Sequence, residues 1–599
     1  MKNSTALRSY SPCKGVYLYF DNTNFITCTC VDIDIDPDVE DLVLSGPNPE
    51  QSRFSIKVML RNINKQFKNV KSIFIGYDIA DIDISNLMFP NVRKIESDNP
   101  RYRDNTQYLI NDSGFRSYLQ NVFCIKKQEE PVQTVDVSGI RDYAFEGCEA
   151  TDGFFNDSEK YVAIRIIEEK AFYNSGFLKC KPKNGVRLQN YIITDIDENA
   201  DTIILHKKSN DYAAPIKLDF KNVKRLVIDD VKSIQYLYNM PEIVSIKSDC
   251  NNLLLGPSYM TSLSIKAFEA PASSLKFKAI DGILYSKDGT TLIKCPRGKT
   301  GAVVIPEGVM HIQDYAFYES QISSIKFPNS LKYIGKESFA YSKIEHVDFG
   351  TGIQNLGGYD SYSFSKCDNL TRIEIPPQIK KISSGFFFNC VNLKEVIFHE
   401  GLEYIGKQAF GACWKLKEIS LPPTVTFVGD KCFSHTEILR VEKPFTDMLR
   451  SLTSAYPSSL ISHTKELFVN GKCFYVPGCM RQRALQDFAH ATDFPDNLYE
   501  YAATAELKQD TALYMYNQED LKDTDVELYL RRCAKKISER LMTDKKEEEF
   551  ANFVSLGLLS KSSLKQLLEK ARNYEDMSYS AYLLSAMNDN NKNNNSFKL

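Results

Sequence analysis

From Ile305 to Pro444 the apolar residues return in the same order six times. A unit carries an aliphatic residue, two intervening positions, and then an apolar–variable–apolar triplet. Ile322 precedes Ile325 and Phe327, Ile344 precedes Val347 and Phe349, and Leu370 precedes Ile373 and Ile375. Leu393 precedes Val396 and Phe398, and Leu416 precedes Ile419 and Leu421. Alternate side chains of a strand point to opposite faces, so each triplet predicts a short strand with its apolar side turned inward. Pro306, Pro328, Pro376 and Pro422 follow such strands and end them, because proline donates no ladder hydrogen bond. A second aliphatic pair predicts the return path: Val309/Ile312, Leu331/Ile334, Ile379/Ile382, Leu402/Ile405 and Val425/Val428. A phenylalanine closes each unit, at 317, 339, 364, 387, 410 and 433, spaced by 22, 25, 23, 23 and 23 residues. The 25-residue interval reflects three extra residues after Leu356.

Such a unit cannot bury its apolar side alone and must stack on copies of itself. The fold class expected is therefore a repeat solenoid of leucine-rich repeats, β-rich with short turns and little helix per repeat. Three residues after each phenylalanine stands Ser320, Ser342, Cys367, Cys390, Cys413 or Thr436. Cys367, Cys390 and Cys413 suit a metal ladder, a run of disulfides or a small, weakly polar core slot. Ser and Thr in the same position favour the slot.

The pattern I-P-x-x-(V/L)-x-x-I-G-x-x-A-F-x-x-C-x-x-L-x-x-I-x-(F/I) resembles the BspA-type leucine-rich repeat, a family of mostly microbial surface and interaction proteins. The likeness is closest over 278–444, where 278–317 resembles the family's hairpin insertion. Weaker copies lie upstream at Ile140–Cys148 and Ile167–Ser175. The resemblance implies a curved ligand-binding solenoid, in many members adhesion or host-protein binding, and no catalytic residue.

Upstream, Val39-x-x-Leu42-x-Leu44, Val70-x-x-Ile73-x-Ile75 and Val223-x-x-Leu226-x-Ile228 keep the strand rule without the Pro and Phe. The expected organisation is a divergent region of degenerate repeats (1–130), irregular repeats with insertions (131–300) and regular repeats (301–445). A terminal hairpin cap (446–480) follows, turning at Asn470-Gly471. An α-helical region (481–587) and a disordered Asn-rich tail (588–599) complete the chain. A separate N-terminal domain to about residue 130 stays open. The helical segments expected are RQRALQDFAHA, DVELYLRRCAKKISERL, KKEEEFANFVSLGLL, SSLKQLLEKARNYED and YSAYLLSAM, with Ser562 or Ser563 capping the fourth.

Composition changes this picture little. A net charge of −3 gives no basic footprint for nucleic acid. The N-terminal residues lack the apolar stretch of a secretory signal, and no run reaches the ~20 apolar residues of a bilayer span. The compartment expected is the cytoplasm, with cell surface or secretion by another route as the alternative. The 15 scattered cysteines form no disulfide framework. Asp32, Asp34, Asp36 and Asp38 line one strand face, which suits calcium chemically. Without the loop spacing of a calcium motif, a solvated or edge-protecting face is expected instead. Lys126-Lys127, Lys207-Lys208 and Lys545-Lys546 read as solvated surface pairs.

Seven histidines fall at unrelated repeat positions, and no phosphate loop, nucleophile elbow or metal-ligand spacing occurs. No catalytic, cofactor-binding or metal-binding residue is therefore expected, and no cofactor. The expected binding surface is the outward side of the strands: Ser324, Lys326, His346, Asp348, Arg372, Glu374, Glu395, Ile397, Glu418, Ser420, Arg440 and Glu442. Stacked, they predict a continuous polar ridge suited to a protein or peptide ligand. The function expected is a non-catalytic protein–protein interaction scaffold. Its alternatives are a surface or secreted adhesin and an enzyme with its activity in the helical C-terminal region.

Overall fold

The computed structural model describes residues 8–21, 28–46, 56–104, 106, 108–113, 116–123, 137–149, 164, 166–189, 192–206, 220, 222–229, 241–246, 263–454, 463–518, 524–573 and 577–595, the last with side chains to 588. Lys126, Lys127, Lys207 and Lys208 lie outside these. The chain divides into two compact units, 1–299 and 300–599.

In the first unit the loose strand motifs are true rungs. Asp41–Leu44, Ser72–Ile75 and Lys94–Ser97 pair in parallel, with Leu42, Ile73 and Ile95 aligned and buried. Thr202–His206, Arg225–Asp229, Ile243–Ile246 and Ala267–Glu269 form a second parallel ladder. The two outlying phenylalanine motifs stack as well: Ile140 pairs with Ile167, and the buried rings of Phe145 and Phe172 lie 5.2 Å apart. Phe277–Ile280, Ile283–Ser286 and Thr291–Lys294 make the expected antiparallel insertion. The acidic strand Thr29–Ile35 differs from expectation. It lies between Val16–Asp21 and Ile56–Met59, so it is no edge. Lys65 Nζ bridges Asp32 and Asp34 at 2.6 and 2.9 Å, an ion-pair role in place of simple solvation.

In the second unit each of six rungs, named here by their phenylalanines from Phe317 to Phe433, has three walls. The first is the strand wall: Gln321–Lys326, His346–Asp348, Arg372–Ile375, Glu395–Phe398, Glu418–Leu421 and Ile438–Val441. The second is a column of two-residue strands, His311–Ile312, Tyr333–Ile334, Asn355–Leu356, Lys381–Ile382, Tyr404–Ile405 and Phe427–Val428, whose aliphatic member is buried every time. The third is the phenylalanine turn. All six rings are buried, with successive centroids 4.6, 4.5, 5.7, 5.2 and 6.0 Å apart.

The turn wall has its own backbone logic. The residues two before and two after the phenylalanine adopt left-handed φ: Tyr315 and Glu319, Glu337 and Tyr341, Tyr362 and Lys366, Gln408 and Ala412. This conformation costs a non-glycine residue about 1–2 kcal/mol. It is offset because the N–H groups at most of these positions and at most of the phenylalanines donate to the next rung. Tyr315, Phe317 and Glu319 donate to Lys336, Ser338 and Ala340 at 3.0, 2.6 and 2.9 Å. At the I-G step the rungs approach so closely that a Cβ on Gly406 or Gly429 would lie 2.4 or 2.3 Å from the neighbouring rung's backbone nitrogen.

Beyond the sixth rung, Lys465–Val469 adds in parallel and Lys472–Val476 turns back antiparallel through Asn470 and Gly471, both at positive φ. Helices α1 (Met448–Leu452), α2 (Gln482–Asp487), α3 (Ala505–Gln518), α4 (Asp525–Thr543), α5 (Glu547–Ser555), α6 (Lys561–Ala571) and α7 (Ser578–Asn595) complete the unit. Four details depart from the expectation. Helices α1 and α3 lie where no helical segment was expected. The N-cap of α6 is Ser560, which accepts from the Ser563 N–H, rather than Ser562 or Ser563. Helix α7 runs to Asn595, through residues given to a disordered tail.

Candidate binding surface

Strand pleating turns Ile325, Ile373 and Ile419 inward and their flanking residues outward. Lys326, His346, Asp348, Arg372, Glu374, Glu395, Glu418, Ser420 and Glu442 are exposed, and Ser324, Ile397 and Arg440 are half-exposed. Parallel register sets residues one rung apart side by side. Lys326 aligns with Asp348 and Arg372 with Glu395, and their charged atoms meet at 3.1 and 3.0 Å. Arg440 reaches Glu418 at 2.6 Å, and His399 meets Glu374 at 2.9 Å. The Gly350 N–H and then Lys326 hold the Asp348 carboxyl below the usual carboxylate range. The face is thus a set of inter-rung ion pairs, each tying one repeat to the next.

The expected unbroken sheet is divided in three. Hydrogen-bonded pairing joins Thr300–Val304, Gln321–Lys326 and His346–Asp348, then Arg372–Ile375 with Glu395–Phe398, then Glu418–Leu421 with Ile438–Val441 and the terminal hairpin. Between the second and third rungs the column of two-residue strands is interrupted as well, at the three-residue insertion. The ridge is continuous in position and not in backbone bonding.

A family model described as BspA type Leucine rich repeat region matches residues 298–360 and 359–454, with six copies. Residues 298–454 are BspA-type leucine-rich repeats. Solved structures that resemble the chain include a leucine rich cell surface protein from Faecalibacterium prausnitzii (16% identity, 82% of this chain, 100% of that one, TM-score 0.25). The pneumococcal vaccine antigen PcpA (14%, 73% and 93%, TM-score 0.27) is another. A leucine-rich repeat protein from Eubacterium ventriosum is a third (12%, 78% and 94%, TM-score 0.24). No curated protein matches.

The recurring Cys/Ser/Thr slot of the BspA-type repeat has a definite task here. Cys367, Cys390 and Cys413 are buried thiols whose Sγ donates to the phenylalanine carbonyl of the preceding rung, Phe339, Phe364 and Phe387, at 3.2, 3.1 and 3.3 Å. Burial pushes the Cys413 thiol up to about 12, and burial with its Cys367 neighbour takes Cys390 well above the ordinary range, so both stay protonated. Among the described residues no group of His, Cys, Asp and Glu side chains is arranged to hold a metal. None of their helices is long and apolar enough to cross a membrane.

Two features escaped the sequence reading. The strand wall extends past Arg440 to Phe468, whose ring lies 4.0 Å from the arginine's guanidinium carbon. On the inward phase of the same strand sits Lys465, 0% exposed, its Nζ donating to the carbonyls of Ser434 and Thr436 at 2.6 and 2.8 Å. Burial brings its amine down to about 7. His435 packs against Trp414 at 4.1 Å, and its Nδ1 accepts the Ala412 N–H; burial and then Lys465 lower it to about 4. The signal for Lys465 was present: it alternates in phase with Leu467.

Proposed function

We propose that this protein is a non-catalytic scaffold that binds a protein or peptide partner on the outward face of the strand wall, from Ser324 to Glu442. One observation carries the reading: the side chains of that face are already fixed by their inter-rung pairs, Lys326–Asp348, Arg372–Glu395 and Arg440–Glu418. Exposed pairs of this kind contribute only about 0–1 kcal/mol each to folding. Their value lies in presenting charges in set positions, which lowers the entropy lost when a partner docks. The setting in this proposal is a reducing one, the cytoplasm, because three core thiols serve as hydrogen-bond donors and oxidation would end that role. The test is a charge swap on the full chain, Arg372→Glu with Glu395→Arg. It keeps an internal pair, so the melting temperature stays near that of the parent, while the sign pattern offered to a partner inverts. Proteins captured by the parent and lost by the swapped chain support the reading. Identical captured sets from both would exclude this face.

A further inference from the structure

On the strand wall Lys326, Arg372 and Arg440 each have a carboxylate partner; the lysines on the column of two-residue strands do not. On that column the second to fourth rungs present Lys332, Lys336, Lys380 and Lys381, all exposed. Positions 332–335, 354–358 and 380–384 contain no carboxylate; at Lys336 the patch meets its edge, where the half-buried Glu337 follows and the Asp314 carboxylate accepts the Lys336 N–H at 2.7 Å. None of the four ammonium groups is in an ion pair with a described residue; Lys332 Nζ reaches only the Gly352 carbonyl, at 3.4 Å. The exposed ring of Tyr333 lies among them. The middle rung supplies the uncharged residues Gln354, Asn355, Gly357 and Gly358. Carboxylates stand at both ends, Asp314 one rung before and Glu403 one rung after, so the cationic stretch has a defined length.

We propose that this patch is a second docking surface, and that its occupant is an extended acidic peptide segment of a partner protein. Charge complementarity carries the inference, and length selects the occupant. Rungs lie ~4.8 Å apart, so Lys332 and Lys380 are about 10 Å apart across two steps, the distance an extended peptide covers in about three residues. In the polyproline II form three residues make one full turn of about 9 Å, so carboxylates three apart share a face and meet both lysines, with Lys336 and Lys381 alongside and the Tyr333 ring against the peptide between them. A nucleic-acid backbone is a longer uniform polyanion and would run onto Asp314 and Glu403, where like charges repel it.

The experiment uses the full chain and a synthetic proline-rich peptide of about eight residues whose two glutamates stand three apart between neutral residues. Fluorescence anisotropy follows its binding to the parent, to a Lys332→Gln, Lys336→Gln, Lys380→Gln, Lys381→Gln variant, and to the Arg372→Glu, Glu395→Arg swap. The parent is expected to bind the acidic peptide and to ignore its glutamine analogue. Affinity should fall about tenfold or more in the four-lysine variant and on raising salt above the physiological level, because salt screens attraction between solvent-exposed charges. All four side chains are exposed, so the variant's thermal unfolding should match the parent's. The charge swap on the strand wall should bind as the parent does, which separates this surface from the one proposed above. Absence of binding, equal loss in the swap variant, or tighter binding of a single-stranded oligonucleotide of equal charge would overturn the proposal.

Discussion

Phe387 shows what a repeat asks of one side chain. Its ring is buried between those of Phe364 and Phe410, 5.7 and 5.2 Å away, and its N–H donates to Ala409 on the next rung. Phe387→Ala removes a plug that two neighbours share, and we expect a loss of about 3–5 kcal/mol in urea unfolding. Lys465 makes a different prediction. Its amine has a folded value of about 7 against an ordinary 10.5, so the unfolded chain binds more protons between those limits. Stability of the second unit should therefore rise as pH climbs from about 7 to 10. His435, lowered from 6.5 to about 4, adds a further loss of stability as pH falls through that range. Lys465→Met should flatten the alkaline slope and only soften the acid one, which burial of His435 dominates, as thermal melts across pH would show. At this scale the core was legible and the cation was not. Aliphatic and aromatic positions announce themselves by recurrence, whereas a single lysine reads as solvated until its strand phase is compared with Leu467. The ion pairs also left a trace in sequence: Lys326 and Asp348, or Arg372 and Glu395, are opposite charges one period apart.

Among the elements, strands and turns followed from the pattern, and helices followed only where an apolar stripe marked them. Helix α3 buries Gln509 and Thr511 beside Leu507, Ala512 and Met515, so polar residues interrupt the stripe that would have revealed it. The cap of α6 shows how a boundary slips: three serines lie within four residues, and only Ser560 has extended backbone with its hydroxyl accepting from the Ser563 N–H. Ser560→Ala should cost about 1 kcal/mol and Ser562→Ala only a few tenths, measurable by chemical denaturation. The left-handed pairs of the turn wall were invisible in sequence because Tyr, Glu, Gln and Lys hold most of those positions. The glycines that do recur serve close approach instead. Gly406→Ala should destabilise by about 1–3 kcal/mol, since the new methyl would meet the backbone of Ser384 and not a movable side chain.

For the second unit as a whole, each rung is supported by its neighbours, so stability is approximately a chain of nearest-neighbour terms. Damage should spread by rungs and fade: hydrogen exchange in Phe387→Ala should accelerate most in the rungs of Phe364, Phe387 and Phe410, and least in that of Phe317. The terminal hairpin closes the sheet by pairing Ile438–Val441 with Lys465–Val469. A chain ending at residue 445 would leave that strand unpaired, and it should self-associate at concentrations where the full chain does not, as size-exclusion chromatography would report.

The interruption between the second and third rungs bears on how such an array changes length. At three other steps of the strand wall, inserting or losing one copy would strand a charge: Lys326 would face something other than Asp348, Arg372 something other than Glu395, and Arg440 something other than Glu418. No ion pair crosses from Asp348 to Arg372, and neither sheet bridges that step, while the phenylalanine stack does, at 4.5 Å. It is a seam, a place where a repeat can be spliced in or out with no sheet and no ion pair to re-thread, only the turn wall's rings and hydrogen bonds and the Thr351–Asn329 and Lys332–Gly352 contacts, and ancestral shuffling of copies would leave its scars there first.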